Sequence, residues 1–97
     1  MSLRIDQNAL QERLLLHRQF LKDVHGGQRL ILKLHDAADL IFTKHNVSWA
    51  ELAGTDLRRC AFVNASMIGI SLFGANLEGA DMRGADLSKG DLRGINL

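Results

Sequence analysis

Four histidines, a single cysteine and a scatter of carboxylates are the side chains of this 97-residue chain that could carry chemistry. Histidines would suit a metal centre if they converged. His17 and His25 stand eight residues apart, not the three or four that align ligands on one helix face. Cys60 is alone, which excludes an intramolecular disulfide and makes a reducing cytoplasm the expected compartment. Neither a Ser/His/Asp set nor a Cys/His set has supporting context, and the glycines form no phosphate loop. The sequence therefore points to no catalytic, cofactor or metal site and to no small-molecule substrate. Lys and Arg number 12 against 11 Asp and Glu, a net charge of +1, which lacks the basic excess of a direct nucleic-acid binder. No apolar run approaches a membrane span, and the start, Met1 to Gln7, lacks the basic-then-apolar layout of a signal peptide.

The elements that must position these residues are set by a repeat. Every fifth residue from Val47 to Leu97 is large and apolar: Val47, Leu52, Leu57, Phe62, Met67, Leu72, Leu77, Met82, Leu87, Leu92 and Leu97. We call this the central position. Two residues earlier the side chain is small in most units, with His45, Ile70 and Ile95 as exceptions. The residue just before the central one is polar in every unit except at Ala61. Two residues after it, Gly recurs at 54, 69, 74, 79, 84 and 94. A helix repeats at 3.6 and a strand at 2, so neither explains a period of five. Two inward positions, one large and one small, imply a short straight step and then a corner, where Gly suits a positive φ. Arg59, Asn64 and Lys89 fill the same slot, so some corners must manage without glycine.

The units Ala75-Asn76-Leu77-Glu78-Gly79, Ala80-Asp81-Met82-Arg83-Gly84, Ala85-Asp86-Leu87-Ser88-Lys89 and Gly90-Asp91-Leu92-Arg93-Gly94 resemble the A(D/N)LXX motif of the pentapeptide-repeat family. The resemblance covers residues 45–97. It implies a mainly β fold, a right-handed quadrilateral β-helix with four pentapeptides per coil. On such a coil His35 and His45, ten residues apart, fall on opposite sides and share no ion.

Residues from Asn8 to Val24 read as a helix, with Asp6 or Asn8 as cap, a stripe of Leu10, Leu14, Leu21 and Val24, and Gly26-Gly27 as terminator. His25 then falls near the helix C-terminus, where a cation is favoured. His17 to Leu21 followed by Gly26 to Arg29 also resembles the leader before the first coil of short bacterial and phage members of the family. Residues 30–44 admit two readings. Leu32, Ala37 and Phe42 fill central slots, yet Leu30, His35 and Leu40 are large for the small slots, and a second helix accommodates the same residues. The leader resemblance favours an irregular first coil. The expected organisation is one folding unit: a helical cap over 1–28 and a β-helix over 29–97, regular from about 45. A solenoid needs its ends covered. The N-terminal helix serves one end, and the other stops in phase on Ile95-Asn96-Leu97.

The slot after the central residue should face water, yet Val63, Ile68 and Phe73 occupy it on three consecutive faces. They form a candidate partner-binding belt, unless the N-terminal helix folds down over them. Leu92, Ile95 and Leu97 are the candidate self-association residues. The resulting expectation is a non-catalytic, cytoplasmic protein-interaction module whose partner is a protein, a second copy of itself. Resemblance to the quinolone-resistance branch of the family raises the alternative of a DNA mimic acting on gyrase. Residues 45–97 carry a net charge of only −1, however: six acidic residues against Arg58, Arg59, Arg83, Lys89 and Arg93. Stacking of one coil on the next would set Arg58 beside Glu78. A further alternative is the N-terminal fragment of a larger repeat protein.

Overall fold

A computed structural model describes residues 3–97; Met1 and Ser2, the first residues of the expected cap, lie outside the described residues. The helix α1 spans Gln7–Leu21. Asp6 is its N-cap, and the Ala9 N–H donates to the Asp6 carboxylate at 2.8 Å. The helix stops three residues short of Val24, because the chain turns at Lys22 and Asp23 takes a φ of 55°. His25 accordingly lies in the following loop and not in the last helical turn.

From Ile31 onward the chain winds as a four-sided coil. Ile31 pairs in parallel with Glu51 and Glu51 with Ser71; Asp36 pairs with Asp56 and Asp56 with Asn76. Each partner lies four pentapeptides further along, which is the content of one coil. The faces are shorter than the expected strands: each contributes one isolated bridge residue between two turns, and the described residues contain no continuous strand. A side of one pentapeptide leaves room for little more once the corner is made. The segment 30–44 belongs to the first coil and is not a second helix.

The corners show why the period is five. At all but the corner before Leu40, the N–H of the small-slot residue closes a turn on the preceding central carbonyl, as from Ala65 to Phe62 at 3.0 Å. Such a turn needs positive φ at its third residue. Every fifth residue from Leu34 to Gly94 has it, and seven of these thirteen corners are not glycine, among them Leu34, Trp49 and Lys89. Left-handed backbone costs a side-chain-bearing residue about 1–2 kcal/mol. Closure of the coil outweighs that cost. Where the residue before the central position is Asp, Glu or one of Asn46 and Asn76, it relieves the same turn. Its side-chain oxygen accepts the N–H two residues on, as in Asp56 with Arg58 (3.1 Å), Asn76 with Glu78 (3.1 Å) and Asp86 with Ser88 (3.0 Å).

Inside, central residues stack in columns, one residue from each coil. Phe42 and Phe62 lie with ring centroids 4.6 Å apart, and Leu32, Leu52 and Leu72 are fully buried. The small-slot columns resolve the exceptions in the repeat. Leu30, Ala50, Ile70 and Gly90 share one column, so large and small side chains alternate along it. A Cβ on Gly90 would sit 3.5 Å from the Ile70 methyl carbon and 3.3 Å from its carbonyl oxygen. Thr55 Oγ–H donates to the Leu32 carbonyl, and the Cys60 thiol to the Ala37 carbonyl at 3.0 Å, so these polar side chains fill the tube without an orphaned group.

Candidate interaction site

A stacked coil pairs most of its backbone groups with the coils on either side, so its two ends are where such groups lose their partners. At the N-terminal end the first coil finds substitutes for the missing neighbour. The Ile5 N–H donates to the Asp36 carbonyl at 3.0 Å and the Asp36 N–H to Leu3 at 2.7 Å, so residues 3–5 supply one face. On the next face the Gln7 amide acts as a detached peptide group, donating from Nε2 to the Ile41 carbonyl (3.0 Å) and accepting the Ile41 N–H on Oε1 (2.9 Å). The Arg13 guanidinium donates to the Ile31 carbonyl at 2.7 Å. His17 is fully buried. Its Nδ1 accepts the Leu30 N–H at 2.8 Å, so Nε2 carries the proton and donates to the Ser48 carbonyl, also at 2.8 Å. Burial holds this imidazole below its ordinary titration range, with the Ser48 hydrogen bond acting in the opposite direction. Leu10 and Leu14 close the end of the tube. The helix therefore sits on the first coil, and its bonds end on residues 28–48; it does not fold down over the belt.

Among the described residues nothing covers the last coil in this way. Central N–H groups ordinarily donate to the following coil, as from Phe62 to the Asp81 carbonyl at 2.7 Å. Among the described residues the N–H groups of Gly79, Met82, Gly84, Leu87, Lys89, Leu92 and Gly94 have no acceptor. The carbonyls of Ala80, Ala85 and Gly90, which would accept from a further coil, are likewise unmatched. The apolar column opens with them. Leu77 is buried, Met82, Leu87, Leu92 and Ile95 are half-buried against the core, and Leu97 is 71 % exposed. Leu92, Ile95 and Leu97 thus lie together on one edge that carries donors, acceptors and apolar side chains.

The belt residues do not gather. Successive units point to successive sides, so Val63 and Phe73, two units apart, face opposite directions on a four-sided coil. Val63 and Ile68 are half-buried, whereas Phe73 is 50 % exposed, with the Arg93 guanidinium 5.3 Å from its ring centre. Phe73 also walls an open groove of about 310 Å³ with Lys33, Leu34, Ala53, Gly54 and Gly74. On the sides, Asp56, Asp81 and Asp91 each hold the arginine two residues on, at 2.7–2.9 Å. These arginines keep their carboxyl partners below the usual carboxylate range. Arg58 is therefore bound to Asp56 and not to Glu78, because a neighbour on the same face is reached without crossing to the next coil. Asp39 and Arg59 make the inter-coil pair, at 2.7 Å.

Little else on the molecule could do chemistry. Burial pushes the Cys60 thiol up to about 11. Among the described residues no three His, Cys, Asp or Glu side chains gather as metal ligands, and no helix is long and apolar enough to cross a membrane. Sequence reasoning missed His17 and Gln7 as cap residues, because nothing in their helical pattern marks which backbone groups of the first coil they meet.

Comparison with known proteins agrees with this geometry. No curated protein matches the sequence. A solved pentapeptide repeat protein from the Arabidopsis thaliana thylakoid lumen superposes with a TM-score of 0.62 at 31% identity, over 63% of this chain and 42% of that one. HetL, a pentapeptide repeat protein involved in heterocyst differentiation regulation in the cyanobacterium Nostoc, gives a TM-score of 0.66 at 26% identity, over 71% of this chain and 32% of its own. The chain thus spans less than half the length of these two solved relatives. The family model for pentapeptide repeats matches eight copies over residues 41–79 and 62–97, more than half of the sequence, and the chain belongs to the pentapeptide repeat family.

Proposed function

We propose that this chain is a non-catalytic protein-interaction module that pairs with a second copy of itself through the coil 78–97, on a tube of the right-handed sense that parallel crossovers favour. The observation that carries the reading is the asymmetry of the two ends. One end has its backbone groups matched by Gln7, Arg13 and His17; the other presents unmatched N–H and C=O groups around Leu92, Ile95 and Leu97. An unpaired edge with an apolar centre is a template for another chain. Pairing about a two-fold axis closes both edges at once, whereas head-to-tail stacking would continue into a filament. The tube is filled by its own side chains, which supports a binding role over a catalytic one. The buried thiol of Cys60 suits a reducing, cytoplasmic setting. Asp56, Asp81 and Asp91 on the side faces are each paired with an arginine, which works against mimicry of DNA, and gyrase supercoiling should proceed unchanged in the presence of the protein.

Light scattering after size exclusion tests the pairing. The wild-type chain should elute at about twice the 10.8 kDa of one copy, and the double variant Ile95→Asp, Leu97→Asp at one copy. A mass that does not change between the two removes the proposal.

A further inference from the structure

We infer that the concavity between the last turn of α1 and the first coil binds a small phosphate-bearing molecule. The cavity measures about 510 Å³, within the range of small-ligand sites. Leu14 and Leu21 form its apolar floor, and Arg18, Lys22 and Lys44 its rim, with His45 and Asn46 beside them. No carboxylate lines it.

The distribution of positive charge singles this place out. Of the 12 Lys and Arg residues, five hold an aspartate (Arg4, Arg58, Arg59, Arg83, Arg93) and two donate to carbonyls (Arg13, Arg29). Among the described residues the remaining five are without an acceptor, and three of those, Arg18, Lys22 and Lys44, meet at this one cavity. The Asn46 side-chain oxygen already accepts the Ser48 N–H at 3.0 Å, so its amide N–H groups are left to donate. The helix end does not account for the cations. Its last carbonyls are taken by backbone donors: Arg18 by Lys22 (3.2 Å), Gln19 by Val24 (2.9 Å), Phe20 by Asp23 (3.1 Å) and Leu16 by Gln28 (2.9 Å). Nor is Lys44 on the helix. It occupies a corner with φ of 64°, where the backbone would sit more easily as glycine.

Three cations around one concavity match a ligand with two or more negative charges. A planar guanidinium and two ammonium groups lining one cavity suit phosphate oxygens, and the leucines suit an organic body attached to them.

The test uses the full chain, isotope-labelled, titrated with pyrophosphate and, separately, citrate at low salt. Amide shifts should concentrate at Arg18, Lys22, Lys44, His45 and Asn46. Lys44→Gln and Arg18→Gln should each weaken pyrophosphate binding at least about tenfold. Lys89→Gln, an unpaired lysine remote in sequence from the cavity, should bind as wild type. Circular dichroism identifies a variant that fails to fold; the exposed Arg18→Gln then reads the same loss. Shifts spread over all basic residues, citrate bound as tightly as pyrophosphate, or affinity retained in both variants would each overturn the assignment. The coil 78–97 takes no part, so failure here leaves self-association standing, and the reverse also holds.

Discussion

His17→Ala should be the most damaging single substitution in the cap. The imidazole is fully buried and spans two backbone groups, the Leu30 N–H and the Ser48 carbonyl, each at 2.8 Å. Truncation leaves one donor and one acceptor without partners, at about 1–3 kcal/mol for each buried group. Cavity formation adds to this, and the expected loss is about 3–5 kcal/mol. A small domain has only about 5–15 kcal/mol in all. Urea unfolding followed by far-ultraviolet circular dichroism and by emission from Trp49, the single tryptophan, reads the loss. The pH dependence supplies a second signature. The folded imidazole titrates below its ordinary 6.5, held there chiefly by burial. The unfolded chain then binds a proton that the folded chain refuses. The contribution of His17 is complete above about pH 6.5 and is lost as pH falls through the folded value, with a slope of at most about 1.4 kcal/mol per pH unit. The gap between wild type and His17→Ala should therefore narrow on acidification. A loss under about 1 kcal/mol at neutral pH, or a gap that widens as pH drops, would refute the bridging role.

Two further outcomes follow from the packing. Gly69 and Gly74 share a φ of 67°, but a Cβ on Gly69 would lie 2.3 Å from the Trp49 ring, whereas one on Gly74 meets nothing within 4 Å. Gly74→Ala should cost about 1–2 kcal/mol from backbone strain alone. Gly69→Ala should cost more and shift Trp49 emission; equal losses without a shift would contradict the stacking. Cys60 is buried and its thiol is pushed up to about 11, so Ellman's reagent at pH 8 should label it only in denaturant. Rapid labelling of the native protein would show that the tube opens there.

The tube is legible from residue types because its period is strict. Central residues from Val47 to Leu77 are buried as the five-residue count requires. The first coil is harder to read, because Leu30 and Leu40 break the small-slot rule; the rule bends where a column alternates large with small, as Leu30 does with Ala50. The cap chemistry is not legible. Gln7 and His17 are ordinary helix residues by pattern, and their roles depend on which backbone groups the first coil leaves unmatched. The expected pairing of Arg58 with Glu78 fails because stacking alone overlooks the same-face partner Asp56. The belt of Val63, Ile68 and Phe73 is continuous along the chain, but each corner turns the next residue through a quarter of the circuit.

That quarter circuit makes length a discrete variable. Insertion of one pentapeptide would keep every large residue on the axis and yet advance all later faces by one side, so that Phe73 would trade its neighbours Lys33 and Ala53 for those of the adjacent wall. Insertion of four pentapeptides at once restores the original alignment and only lengthens the tube. Single steps of five thus re-deal the outer walls and also break the alternation of Leu30, Ala50, Ile70 and Gly90 inside, whereas steps of twenty leave each residue in its own column.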